Sequence, residues 1–280
     1  MNEPQSNKIV VNATDSNIKL NLKELFRYKD LFLVLAYKDL RVRYAQTFLG
    51  LIWAIIQPLT TLAIMSVVFG RFVKVDTGGV PYPVFAVIGV SLWTYFSFVL
   101  SQSGNSIIGA QDMVKKIYFP RLIIPLSKAV VGLVDFLVAI ILLIILFAYY
   151  GITPSSNIVF LPIFLILTII SSLAVGIWLS ALTIRFRDFQ YVVPFLVQFG
   201  LYITPIAYPT EIVVDNLPSW ATVIFYLNPM TGIVEGYRWC LIGGPEPAGY
   251  FWLSISFVML LFVSGIYYFK KIEKTMADII

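Results

Sequence analysis

The feature that most limits the fold of this chain is a set of long, unbroken apolar runs. The longest covers residues 123–150, where "IIPLSKAVVGLVDFLVAIILLIILFAYY" contains two charged side chains, Lys128 and Asp135. A helix needs about 20 mainly apolar residues to cross a bilayer. The whole chain is 59% hydrophobic and 12% charged, which is more apolar than a soluble core can bury. The sequence therefore predicts an all-α polytopic membrane protein.

The apolar pattern predicts six transmembrane helices, at residues 48–73, 83–108, 123–150, 158–184, 191–208 and 250–269. Together they would form one six-span domain over residues 48–270. Of the 20 Lys and Arg residues, 17 fall toward one side of these spans and 3 toward the other. Because Lys and Arg accumulate on the cytoplasmic side, both termini are expected there. Residues 1–20 are expected to be a polar tail rather than a signal peptide, and residues 271–280 a second tail.

Residues 21–47 are expected to form a basic amphipathic helix before the first span. One face is apolar and carries Leu22, Leu25, Phe26, Leu33, Ala36 and Leu40. The opposite face is mainly basic. A helix of this kind normally lies in the membrane interface. Two roles for this helix stay open. It could be an anchor in that interface, or a surface that also contacts a cytoplasmic partner.

The predicted cytoplasmic segment 109–122, "GAQDMVKKIYFPRL", has more charged and aromatic residues than a simple connector between two spans needs. It carries charges and aromatic side chains that we expect to be exposed: Asp112, Lys115, Lys116, Tyr118, Phe119 and Arg121. Pro120 should end any helix there. A short amphipathic helix could dock into a groove on a soluble partner, which would make this a coupling segment. A positive-inside loop with interfacial aromatics explains the two lysines, but it explains the cluster at residues 118–121 less well.

Residues 210–247 contain two short apolar pieces, 217–227 and 230–242, which Asn228-Pro229 separates. Each is too short to cross a bilayer. We predict two re-entrant half-helices on the extracytoplasmic side, where irregular backbone would line protein or a water-filled cavity. A lid on the outer surface is the alternative.

Asp135 lies near the middle of the third predicted span. An ionised carboxylate is costly there, so it should face the bundle interior and have a partner, or be protonated. A proton-coupled carrier would use such a residue. No other predicted span contains a clear acid or a histidine, and a structural hydrogen bond explains Asp135 at least as well.

The residue types present argue against an enzyme. The chain has no His, one Cys (Cys240), no phosphate-binding loop and no nucleophile elbow. We therefore expect no catalytic residues, no metal site and no bound cofactor. The net charge of +5 fits membrane topology better than nucleic-acid binding. Flat aromatic faces inside the predicted spans suit sugar rings, although lipid-facing packing is the default for each of them.

Five segments occur in a characteristic order: "RVRYAQTFLGLIWAIIQPL", "GVPYPVFAVIGVSLWTYF", "KIYFPRLIIPLSKAVVGLVDF", "RFRDFQYVVPFLVQFGLYITPIAYP" and "YLNPMTGIVEGYRW". Together they resemble the type-2 ABC exporter permeases that move polysaccharides, in particular the Wzm-type O-antigen subunits. Permeases for capsule and teichoic acid share much of this pattern. The resemblance covers most of residues 41–239.

The resemblance implies a homodimer of six-span permeases in the bacterial inner membrane, with two separate ATPase subunits that bind ATP and Mg²⁺. Its cargo would be a glycan on an undecaprenyl-diphosphate carrier. Residues 21–43 and 112–121 would meet the ATPase. The resemblance places these residues along the channel: Trp53, Gln57, Phe199, Tyr202 and Tyr208.

The resemblance also places Arg41, Arg43 and Tyr44 at the cytoplasmic entrance of the channel. A guanidinium suits a diphosphate because it is planar, permanently charged and able to bind two oxygens. The positive-inside rule alone would equally explain both arginines. Two other functions stay open: the same fold exporting a drug or lipid, and a membrane glycosyl or acyl transferase.

Overall fold

The computed structural model describes residues 22–45, 52–244, 246–247 and 249–276. The predicted tail at 1–20, the first four residues of the first predicted span and the end of the C-terminal tail lie outside the described residues. The described chain is all-helical, with no strand in these ranges. Its α-helices are α1 Leu22–Arg27, α2 Lys29–Tyr44, α3 Ile52–Met65, α4 Tyr82–Gly104, α5 Ser106–Gly109, α6 Gln111–Lys116, α7 Ile123–Tyr150, α8 Leu161–Arg185, α9 Phe189–Ile203, α10 Glu211–Asn216, α11 Ser219–Tyr226, α12 Thr231–Ile242 and α13 Phe251–Glu273.

Five helical stretches in the described ranges are long and apolar enough to cross a membrane: Ile52–Phe72, Tyr82–Gly104, Ile123–Tyr150, Ser156–Arg185 and Phe251–Glu273. The first joins α3 to a π-helical segment, Ser66–Phe72, and the fourth begins with a 3₁₀ turn, Ser156–Phe160. Each coincides with a predicted span to within a few residues. The chain is thus a multi-pass membrane protein.

The predicted span at 191–208 differs from the structure. The helix there is α9, with 15 residues, or about 22 Å at 1.5 Å per residue. The hydrocarbon core is about 30 Å thick, so α9 alone is too short to cross it. The helix ends at Ile203 because Pro205 and Pro209 follow closely, and proline removes a backbone donor and clashes with the preceding turn.

Helix α4 forms the centre of the bundle. It is mostly buried and packs against α3, α7, α8, α9 and α12. Helix α13 closes the bundle against α8, where Trp178 stacks on Tyr268 with ring centroids 4.7 Å apart. The Trp178 indole also donates a hydrogen bond to Ser264 Oγ over 3.1 Å. Helices α3, α9 and α13 lie at the periphery and keep much of their apolar surface exposed.

The predicted short pieces at 217–227 and 230–242 correspond to α11 and α12, and the structure adds α10 before them. The break at Asn228 is held by its own side chain. Asn228 Oδ1 accepts from the Met230 N–H over 3.0 Å, and Asn228 Nδ2 donates to Thr204 Oγ1 over 2.9 Å. The break between α11 and α12 is therefore joined to the end of α9.

Candidate functional site

The buried acid Asp135 receives two side chains from the end of α2. Arg43 Nη2 lies 2.5 Å from Asp135 Oδ2, and the Tyr44 hydroxyl donates to Oδ1 over 2.5 Å. Asp135 is 6% exposed. The Arg43 guanidinium also lies 4.2 Å from the centroid of the Phe98 ring. We call Arg43, Tyr44, Phe98 and Asp135 the Asp135 cluster.

This geometry gives Asp135 the buried position and the partners that the cost of an intramembrane charge demands. Burial, together with the hydrogen bond to Asp135, raises the pKa of Tyr44 to about 12. The phenol therefore keeps its proton at neutral pH and stays a donor. A carboxylate held by a guanidinium and a phenol fits a structural role better than a proton relay.

A second ion pair, between Lys128 of α7 and Asp39 of α2, lies closer to the start of both helices. Residues 128 and 135 are about two helical turns apart, and residues 39 and 43 about one. The two pairs therefore fasten the last turns of α2 along the first half of α7. Of the predicted entrance residues, Arg43 and Tyr44 bind α7, whereas Arg41 is exposed.

The apolar face predicted for residues 21–47 does not act as a single surface. Leu35 and Ala36 are buried against the bundle, while Phe26 and Leu33 are exposed. The helix is also interrupted at Tyr28, between α1 and α2. Ala36 of the predicted apolar face packs against the bundle beside Leu35, which the predicted face did not include. The exposed Phe26 and Leu33 are available to the membrane interface.

The predicted coupling segment is largely exposed, but not at every position. Asp112, Lys115 and Lys116 lie exposed on α6, and Tyr118 is 61% exposed. Phe119 is 4% exposed, so the prediction that it is an exposed aromatic is wrong. After Tyr118 the chain turns back toward the bundle, and Phe119 enters the hydrophobic core ahead of α7.

Arg121 is bound within the chain by the end of α13. Its backbone N–H donates to Glu273 Oε1 over 2.8 Å, and its Nη1 donates to the Glu273 carbonyl over 2.6 Å. Lys270 forms an ion pair with the same carboxylate at 2.7 Å. The C-terminal end of the predicted coupling segment is therefore bound to α13.

A cavity of about 340 Å³ lies between α2 and α6, and α4, α5 and α7 also contribute to its lining. Its charged lining comes from Lys38, Asp39, Asp112 and Lys128. The structure thus brings residues from the predicted interface helix and from the predicted coupling segment to one end of the bundle, around one cavity.

Helices α3 and α9 carry four of the five predicted channel residues, and both helices expose most of their surface. On α3 the buried side chains form one narrow stripe, from Ala54 to Met65, which leaves Trp53 and Gln57 exposed. On α9, Val193 is the buried residue, while Phe199 and Tyr202 are 49% and 61% exposed.

Sequence reasoning missed Gln198, which is exposed on α9 beside Phe199. Its signal was an isolated amide inside an apolar run. Neither Gln57 nor Gln198 has a side-chain hydrogen-bond partner among the residues that the structure describes. We call the exposed sides of α3 and α9, with Trp53, Gln57, Gln198, Phe199 and Tyr202, the aromatic–amide surfaces; no Asp, Glu, Lys or Arg occurs in either helix.

Tyr208 has a different environment from the other predicted channel residues. It is half-buried, and its hydroxyl lies 3.2 Å from the Tyr202 carbonyl and 3.1 Å from the Ile203 carbonyl, to which it donates. These are carbonyls at the C-terminal end of α9, which the helix itself leaves without partners. Tyr208 therefore caps α9.

Known proteins resemble this chain over most of its length. The model of the ABC-2 type transporter family matches residues 30–242. An O-antigen export system permease protein RfbA from Klebsiella pneumoniae is 31% identical over 266 residues, which cover 94% of this chain and 98% of its own. A protein of the same name from Myxococcus xanthus is 27% identical over 217 residues, covering 78% and 82%. The polysialic acid transport protein KpsM of Escherichia coli is 24% identical over 248 residues, covering 85% and 92%.

These matches confirm the resemblance to type-2 ABC exporter permeases. The family match includes all but the first residue of α2, the Asp135 cluster, the predicted coupling segment, both aromatic–amide surfaces and the short helices α10 to α12. The chain belongs to the ABC-2 type transporter family.

Proposed function

We propose that this chain is the permease subunit of an ATP-driven exporter that moves a polysaccharide across the bacterial cytoplasmic membrane. Two copies would form the pathway, and two copies of a separate ATPase would supply the energy. The cargo would be an O-antigen-like glycan on an undecaprenyl-diphosphate carrier. The names of the relatives, O-antigen permeases and a polysialic acid transporter, support the substrate class.

The observation that carries the proposal is the pair of aromatic–amide surfaces. An amide exposed to hydrocarbon without a partner costs free energy, so Gln57 and Gln198 do not suit a lipid-facing surface. A hydrated path between two copies would satisfy both amides. Aromatic rings beside them offer flat apolar faces to the C–H patches of sugars, which gives the surface the mixed character that a neutral glycan requires.

The topology in this proposal has six crossings with both termini in the cytoplasm. Helix α9 would make the fifth crossing together with the segment that follows it, and α11 and α12 would re-enter from the outer side. The distribution of Lys and Arg supports the orientation. The cavity between α2 and α6 would then face the cytoplasm, where an ATPase can reach both segments.

The proposal is tested by co-expressing the chain with an ATPase encoded beside it, and by deleting the gene of the permease. We expect the two proteins to copurify and the deletion strain to lose its surface polysaccharide, with recovery on complementation. Normal surface glycan in the deletion strain would instead support export of a drug or lipid by the same fold. Failure to copurify with any neighbouring ATPase would contradict the proposal.

The Gln57→Leu and Gln198→Leu variants should export less polymer at matched membrane levels. Losing one hydrogen-bonding side chain from a wetted path is expected to cost about 1 kcal/mol, which corresponds to a roughly fivefold lower rate. The readout is surface polymer per copy of the permease. Ile144→Leu, a conservative exchange at an exposed apolar position of α7, is the control and should export normally. If both Gln variants also export normally, these amides do not line the path.

A further inference from the structure

The chain bends sharply where α9 ends, and two side chains hold the bend. Residues 204–210 are not helical, and Thr204 to Ala207 are buried. Four consecutive carbonyls, of residues 205–208, accept hydrogen bonds from Arg238 and Tyr82. Irregular backbone at membrane depth persists only where such partners are supplied.

Arg238 supplies three of these hydrogen bonds. Its Nη1 donates to the Pro205 carbonyl over 2.6 Å and to the Tyr208 carbonyl over 3.3 Å. Its Nη2 donates to the Ile206 carbonyl over 2.7 Å. The remaining carbonyl, of Ala207, accepts from the Tyr82 hydroxyl over 2.9 Å.

The guanidinium is enclosed on its other sides. Arg238 is 6% exposed, and its Cζ lies 3.6 Å from the centroid of the Phe85 ring. At Gly89, a Cβ atom would lie 3.0 Å from Arg238 Nη2, so the absence of a side chain makes room for the guanidinium. Its Nε has no hydrogen-bond partner in the described part of the chain. The hydrogen bonds of Nη1 and Nη2 therefore determine the position of the Arg238 guanidinium.

This arrangement requires arginine rather than a positive charge alone. A guanidinium is a planar fork that can serve several acceptors and stack on a ring at the same time. A lysine ammonium is a compact point charge on a flexible stem. It cannot span carbonyls of residues 205, 206 and 208 while covering the Phe85 ring.

The bend determines where the outer end of α9 lies. Arg238 joins it to α12, and Tyr82 joins it to the start of α4. One turn earlier in the same helix, Gly200 packs so closely on α4 that a Cβ atom would lie 2.4 Å from Trp93 Cη2. Phe199 and Tyr202 stand on this part of α9. Their position therefore depends on the bend.

We propose that Arg238 is a positioning residue, which fixes the outer end of α9 and thereby holds Phe199 and Tyr202 at the exit of the polysaccharide path. The effect of Arg238 on export rests on the proposed function. The hydrogen bonds that hold the bend do not depend on it. Sequence reasoning counted Arg238 only as a charge on the outer side, because its three acceptors lie about 30 residues earlier in the chain.

The test uses the full chain with its ATPase in membranes. Cys240, the one native cysteine, is buried and is replaced by alanine, and an Ile203→Cys reporter is placed at the exposed end of α9. The rate of labelling by a membrane-impermeant maleimide is then measured with and without Arg238→Lys. Arg71→Lys makes the same exchange at an exposed guanidinium and serves as the control. Tyr82→Phe is a milder variant that removes one hydroxyl and keeps the ring.

Arg238→Lys should change the labelling rate at Ile203→Cys by about tenfold or more, which is the factor for the loss of about 1.4 kcal/mol. Tyr82→Phe should give a smaller change in the same direction, and Arg71→Lys none. Polymer export should fall with Arg238→Lys at matched membrane levels. Unchanged labelling in both Arg238→Lys and Tyr82→Phe would overturn the positioning role. Absence of polymer export by the unmodified complex would contradict the proposed function and leave the labelling comparison interpretable.

Discussion

The Asp135→Ala variant should lose about 3 kcal/mol of folding stability, because it removes the carboxylate that the partly buried Arg43 guanidinium contacts and so breaks a buried ion pair. Arg43 is 32% exposed and Asp135 6%, so solvent relieves part of the cost on the arginine side. The Tyr44 hydroxyl loses its acceptor at the same time. Thermal unfolding in detergent, followed by tryptophan fluorescence, measures the change. Polymer export should fall with it.

A double variant separates the pairing from any other role of Arg43. Arg43→Gln with Asp135→Asn replaces the ion pair by two neutral amides and should regain most of the stability that either single change loses. Asp215→Ala, at an exposed acid of α10, is the control and should unfold like the unmodified chain. Equal stability of Asp135→Ala and the unmodified chain would contradict the role given to the Asp135 cluster.

The same double variant addresses the entrance predicted at Arg43. If export recovers together with stability, Arg43 acts through α7. If stability recovers and export does not, a contact between Arg43 and the diphosphate of the carrier gains support. Single Arg43 variants cannot make this distinction, because each of them also leaves Asp135 without its guanidinium.

The Gly236→Ala variant should destabilise the chain by about 3 kcal/mol, at the upper end of the usual cost of overpacking. A Cβ atom at this position of α12 would lie 2.0 Å from Phe164 Cε1 and 2.3 Å from Cζ. Phe164 is 6% exposed and packs against Phe251, with ring centroids 5.9 Å apart, so it has little room to move. Thermal unfolding and the amount of protein in the membrane are the measurements.

Two companion variants make this test specific. Gly109→Ala adds the same methyl group where no atom lies within 4 Å and should leave stability unchanged. Gly236→Ala combined with Phe164→Leu shortens the opposing side chain and should recover part of the loss. A Gly236→Ala protein as stable as the Gly109→Ala protein would show that α8 and α12 do not pack this closely.

The sequence was most informative where one local property decided the structure. The predicted span at 123–150 coincides with α7 at both ends, because its apolar run is unbroken and Gly151 follows with a left-handed φ of 66°, a common helix terminator. The span predicted at 191–208 was too long. The apolar pattern continues past Pro205, although that proline is a local signal for the end of a helix.

Contacts between distant parts of the chain could not be predicted in this way. Tyr118 and Phe119 are neighbours of similar character, yet one is exposed and the other buried, since the direction in which the chain turns back decides between them. Arg43 and Asp135 are 92 residues apart, and nothing local to either one indicates the other. Sequence reasoning predicted that Asp135 would have a partner or be protonated, and the packing of α2 on α7 supplies the partner.

The most direct test of the central claim is transport by the purified complex. The permease and its ATPase would be reconstituted into vesicles, and undecaprenyl-diphosphate-linked polysaccharide would be added at the face that binds ATP. We predict that the polymer becomes resistant to an added glycosidase only when ATP is hydrolysed, and more slowly with the Gln57→Leu and Gln198→Leu variants. An assembled complex that hydrolyses ATP and leaves the polymer fully accessible to the enzyme would contradict the account.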